Sequence, residues 1–155
     1  MKKRRVTLLK VKKGVYTVGW EVFQPATNGY DAYRLVCEDV PRPELKDTLQ
    51  ALAVYVAEVC ELPKEAAERI LVSGVKLSHK SDKVFYVSMM AHLLLDSSKE
   101  PLALDTPPRP NVGEEHAFCM SSALAYDLNM LLDEVWRYVD GDRAQGSLQF
   151  EKDVA

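Results

Sequence analysis

Pro41–Leu62, PRPELKDTLQALAVYVAEVCEL, is the stretch whose reading decides the fold. From Leu45 the apolar residues Leu45, Leu49, Leu52, Ala53, Val56, Val59 and Cys60 recur at the spacing of one buried helical face. Glu44, Lys46, Asp47, Gln50 and Glu58 lie off that stripe, and Pro63 prevents further helix. The segments on either side carry the period-two pattern of strands, so this helix is expected to pack across a sheet.

Before it, Arg5–Lys12 and Val15–Phe23 read as strands joined at Lys13-Gly14. The second alternates Tyr16, Val18, Trp20 and Val22 against Thr17, Gly19 and Glu21. Asn28-Gly29 signals a turn, because both residues tolerate positive φ, and Asp31–Glu38 is a third strand. After the helix, Lys64–Glu68 suggests one more helical turn. Arg69–Ser78 and Lys83–Leu95 then form a second hairpin, the latter with Phe85, Val87, Met89, Ala91 and Leu93 on one face. Gly74, inside the fourth strand, predicts a bulge or a close backbone approach.

Asp96–Glu115 holds four prolines and reads as irregular, with a short strand possible at Leu102–Leu104; a connection this long marks a functional or mobile loop. Ala117–Val139 is the second long helix, on the stripe Met120, Leu124, Leu128, Leu131, Leu132, Val135 and Tyr138, with Gly141 at its C′ position. The expected fold is α+β, in the order β-β-β-α-β-β-α: a mostly antiparallel sheet of about five strands with two long helices packed on one face. Residues 1–141 form a single domain with a basic N-terminal arm, and 142–155 a flexible tail. The other sheet face, with Lys10, Lys12, Arg34 and Tyr86, is then left exposed or used.

A length of 155 residues suits one such domain, and no apolar run approaches the ~20 residues of a membrane span. The basic N-terminus leads into a mixed strand and not into an apolar signal core, so a cytoplasmic setting is expected. Charge is unevenly placed. Lys2, Lys3, Arg4, Arg5, Lys10, Lys12 and Lys13 precede Gly14 with no acid among them; of the 20 basic and 23 acidic residues, 13 and 23 remain, a body of −10. Such an arm attracts phosphates of DNA or RNA, with Tyr16 and Trp20 available for stacking if they face outward. Alternatively it complements its own body.

Other chemistry is thinly supported. Cys37, Cys60 and Cys119 are widely spaced and imply neither disulfides nor a metal site. His116 and Cys119 lie three apart, a nucleophile–base pair only if a cleft unites them, and zinc needs more ligands. Glu44-Leu45-Lys46 has the acid-x-lysine spacing of many nucleases, but it opens a helix, where an acid suits the helix dipole. Phosphate-cradling glycine loops are absent, so no cofactor is expected and catalytic residues are not assigned. Pro107-Pro108-Arg109-Pro110 carries one PxxP spacing.

Two resemblances add partners. Gln145-Gly146-Ser147-Leu148-Gln149-Phe150 resembles the hexapeptide by which bacterial replication and repair proteins dock on the DNA sliding clamp, with Gln145 fixing the peptide and Leu148 and Phe150 filling an apolar pocket. Gly146 departs from the leucine often found second, and the alternative is that Leu148 and Phe150 pack on the protein's own helix. The Pro-x-Pro-Glu-Leu opening within Val40–Leu62, the segment Leu102–Pro110 and the ending Asp140-Gly141-x-Arg143-Ala144-Gln145 resemble small uncharacterised proteins carried by bacteriophages and mobile elements. That resemblance implies a bacterial or phage cytoplasmic setting and carries over no catalytic residues. Two readings follow: an accessory protein of DNA metabolism, or a protein-interaction module, either an inhibitor of a host system or a homo-oligomer.

Overall fold

The computed structural model describes residues 3–112 and 119–144. They form an α+β fold on an antiparallel sheet. Its strands are β1 (Arg4–Lys12), β2 (Val15–Gln24), β3 (Gly29–Cys37), β4 (Ile70–His79), β5 (Phe85–Leu93), β6 (Leu102–Asp105) and β7 (Arg109–Pro110). The order across the sheet is β3-β2-β1-β4-β5-β6, with β7 also on β5. Seven strands therefore replace the expected five. The two additions come from the proline-rich segment: β6 pairs Leu102–Asp105 with Leu93–Met90, and β7 pairs Arg109 and Pro110 with Val87 and Tyr86. Proline is tolerated on this outer edge because an edge strand can leave one side of its backbone unpaired. Thr106 joins the two, accepting from the Met89 amide at 2.7 Å through its hydroxyl and donating its own amide to the Met89 carbonyl at 2.9 Å.

Three helices, not two, cover one sheet face. The Pro41–Leu62 stretch divides into α1 (Pro43–Gln50) and α2 (Ala53–Val59), and α3 spans Ser122–Val139. At the break the hydrogen bonds tighten to i−3, from Leu52 to Leu49 and from Tyr55 to Leu52, as in a short 3₁₀ step. Gln50 is spent outside the helix: its amide donates to the Ile70 carbonyl at 2.7 Å and accepts from the Val72 amide at 3.2 Å, pinning β4. The buried stripe is nevertheless the predicted one, with Leu45, Leu49, Leu52, Ala53, Val56 and Val59 all in the core. A 3₁₀ helix, Lys64–Arg69, links α2 to β4.

Sheet parity is set by two bulges. On β1, Val6 pairs with Trp20 but Leu8 with Gly19, so Thr7 is an extra residue; on β4, Val72 pairs with Ala91 but Gly74 with Met90, so Ser73 is extra. Simple alternation therefore fails on both strands. Val6 and Leu9 point inward on β1, and Ile70, Val72, Val75 and Leu77 on β4. With Val18, Val87, Met89, Leu128, Leu131 and Val135 they make one core between sheet and helices. Beyond Gly141, Arg143 bridges to Pro41, the Ala144 amide donates to the Val40 carbonyl at 2.9 Å, and the Arg143 guanidinium meets Asp39 at 2.6 Å. Residues 142–144, placed in the tail by sequence, are thus tied to the fold.

Candidate nucleic-acid interface

The face of the sheet away from the helices is built by register. One row across it reads Arg34, Gly19, Leu8, Lys76, Ser88; the next reads Val36, Thr17, Lys10, Gly74, Met90, Asp105. Lys12 follows Lys10 on the same face two residues on, about 7 Å away. Lys13 and Gly14 take φ of 51° and 78°, the double positive φ of a tight hairpin turn, and bring Lys13 to the end of the same ridge. Lys10, Lys12, Lys13, Arg34 and Lys76 are all exposed, and among the described residues Lys10, Lys12 and Lys13 meet no carboxylate within ion-pair distance.

The first part of the basic arm behaves differently. Lys3 bonds Asp82 at 2.8 Å, and Arg4 grips Asp140 through two bonds of 3.0 and 2.8 Å while lying 4.0 Å from the Trp136 ring centre. Arg5 meets Glu21 at 2.8 Å and stacks 3.6 Å over Tyr30. These hydrogen bonds hold the Asp82 and Asp140 carboxyls below the ordinary carboxylate range. The arm is Lys3 and the first residues of the central strand β1, and these leading charges are matched by the body. Lys2 lies outside the described residues.

Tyr16 and Trp20 do not face outward. Tyr16 is buried against Tyr138, with ring centres 5.4 Å apart, and Trp20 lies between Tyr33 and Trp136. Stacking on them is therefore excluded, because the helices occupy that face. The acids are segregated too: Asp47, Glu58, Glu65, Glu68, Asp127 and Asp133 sit on the helical elements. These acids lie on the side of the sheet that the helices cover, while Asp105 shares the register row of Lys10 on the other face.

Where β1 and β4 separate, a cleft of about 620 Å³ opens. Lys10, Lys12 and Lys13 form one wall; Leu71, Met90 and Ala103 line it, and His92 and Asp105 lie across it. Sequence reading missed Lys76, Leu71, Met90 and His92 as site residues. For Lys76 and Leu71 the signal was Gly74, beside the bulge that decides which side chains of β4 face outward; Met90 and His92 follow from the alternation of β5.

The remaining candidates are not assembled into a site. Among the described residues no group of three or more His, Cys, Asp or Glu could hold a metal. His79 is used against the Val6 carbonyl at 2.7 Å. Cys119 is half-buried and His116 lies outside the described residues, so their pairing is not seen. Glu44 occupies the first turn of α1, where a backbone amide and Arg42 hold its carboxyl below its usual range. Gln145, Leu148 and Phe150 also lie outside the described residues. No described helix is long and apolar enough to cross a membrane.

The class that fold and face define is an α+β protein with an open, basic antiparallel sheet. Comparison with known proteins yields no matching family model, no similar curated protein and no similar solved structure.

Proposed function

We propose that the chain is a non-enzymatic accessory protein of phage or mobile-element DNA metabolism, acting in the cytoplasm. It contacts nucleic acid through its open sheet face and recruits a partner, the sliding clamp in the leading reading, through Gln145, Leu148 and Phe150. One observation carries the nucleic-acid half. Lys10, Lys12 and Lys13 project from a face that no described helix covers, on the same face as Arg34 and Lys76, and among the described residues no carboxylate lies within ion-pair distance of them. Unpaired cations on one face attract phosphates independently of sequence. Of the seven basic residues before Gly14, contact is thereby assigned to the last three, since Lys3, Arg4 and Arg5 are held by Asp82, Asp140 and Glu21.

Fluorescence anisotropy with labelled DNA tests this reading: binding at low salt that weakens steeply with added salt supports it, and no binding at low salt removes it. The recruiting half is tested by peptide competition on purified clamp, where Phe150→Ala abolishes binding.

A second reading, a protein-interaction module without nucleic-acid affinity, is favoured by the β3 edge. This nine-residue strand ends the sheet and exposes Tyr33 and Val36. A stable dimer in sedimentation, with no DNA affinity at low salt, decides for it.

A further inference from the structure

Resting on the nucleic-acid reading above, we infer that the cleft between β1 and β4 binds unpaired nucleotides of single-stranded DNA, with phosphates on Lys10, Lys12 and Lys13 and bases against Leu71 and Met90. The cleft exists because the β1–β4 ladder holds only three pairs, Leu8–Lys76, Leu9–Val75 and Lys10–Gly74. Ser73, extra on β4, then shifts the register, and β1 continues to Lys12 alongside β2 alone. Its 620 Å³ lies within the size range of ligand sites.

Its lining is two-sided in character. Cationic side chains stand on one wall, while Leu71, 51% exposed, and the Met90 thioether, laid over Gly74, offer apolar surface. That combination matches a nucleotide whose base is free, anionic at the phosphate and apolar on the base face. A duplex turns its phosphates outward and keeps its base faces stacked inside, so it would leave the Leu71–Met90 surface unused. Methionine's polarizable, adaptable side chain suits contact with any base. On the Leu71–Met90 side a 2′-hydroxyl finds apolar surface, since the Ser73 hydroxyl there is already committed to the Met90 carbonyl at 3.2 Å; with the sugar held on that side, away from His92 and Asp105, this favours deoxyribose. Asp105, across the cleft, repels phosphates and keeps the backbone on the lysine wall.

The test is anisotropy with a short deoxyuridine oligonucleotide, its duplex with deoxyadenosine, and the uridine counterpart. The single strand of DNA is expected to bind about tenfold tighter than the duplex, as base contacts add to phosphate attraction. Its log–log salt slope is expected near −2, about −0.7 for each of three phosphates. Ala103→Trp fills the cleft from an exposed position on β6, and Leu71→Asn replaces its apolar surface with an uncharged polar side chain of similar size. Either should lower single-strand affinity about tenfold and leave duplex affinity unchanged, with circular dichroism reporting which variants are folded. Duplex or RNA bound as tightly as the DNA single strand, or folded cleft variants that bind like wild type, overturns the inference and leaves the broader reading in place. No binding to any of the three overturns both.

Discussion

Lys10 and Gly74 face one another across β1 and β4 as the last pair before the two strands part. A Cβ on Gly74 would collide with the Leu9 carbonyl oxygen and come within 2.8 Å of the Met90 methyl group. The first neighbour is backbone in the middle of the sheet and cannot yield. Gly74→Ala is therefore expected to destabilise by about 3 kcal/mol, the upper end of overpacking costs. Urea unfolding that shows a lower midpoint at unchanged slope confirms it, and a near-neutral result shows that β4 can shift.

Two helices end in the same motif with different residues. At α3, the Asp142 amide bonds the Arg137 carbonyl at 2.8 Å around Gly141 at φ 98°; at α2, the Leu62 amide bonds the Ala57 carbonyl at 2.8 Å around Glu61 at φ 58°. Glycine takes this left-handed position freely, while Glu61 bears its cost. Glu61→Gly should stabilise the protein by about 1 kcal/mol and Gly141→Ala should destabilise it by about as much. Thermal melts of the two variants check both signs.

Arg4 ties the start of β1 to Asp140 at the end of α3. The Asp140 carboxyl is held low in the folded protein, so the pair's stabilisation is complete above the unfolded carboxylate value of about 3.9 and is lost as pH falls through the lower folded value. Both side chains are more than a third exposed, which limits the effect to about 1 kcal/mol. Asp140→Asn should be less stable than wild type at neutral pH, and the gap should close at acid pH in paired denaturant titrations. A gap that persists at low pH assigns the loss to packing against Trp136 instead.

The alkaline limb belongs in part to Tyr55. Burial, and then its hydrogen bond to Asp127 at 2.6 Å, push the hydroxyl from an ordinary 10 up to about 12. A raised value favours the neutral form, so this contribution is whole below pH 10 and is lost as pH rises through about 12. Tyr55→Phe should cost about 1 kcal/mol near neutrality and lose less stability than wild type between those values. Equal alkaline losses in the two proteins contradict the assignment.

Much of the scaffold was legible because local pattern determined it. The Leu45–Val59 stripe, the Tyr16–Val22 alternation, the Phe85–Leu93 face and the Gly141 cap each follow from spacing within one segment. The short strand read at Leu102–Leu104 is β6, but its pairing and the existence of β7 were harder to see, since both depend on the length of β5 left uncovered beside them. The charges were least legible. Whether an arginine is free or paired depends on carboxylates distant in sequence, and Asp140 is 136 residues from Arg4. The outward faces of β1 and β4 needed the positions of both bulges, of which only Gly74 left a mark in the sequence.

On the proposed function, the open sheet face, and not the helical side, meets nucleic acid. Amine-reactive footprinting with mass spectrometry, on the intact chain with and without a saturating DNA oligonucleotide at low salt, distinguishes the two faces. Lys10, Lys12, Lys13 and Lys76 should be protected, while Lys46 on α1 and Lys64 on the 3₁₀ helix label at unchanged rates. Protection of Lys46 or Lys64 with Lys10, Lys12 and Lys13 still reactive would contradict the proposal.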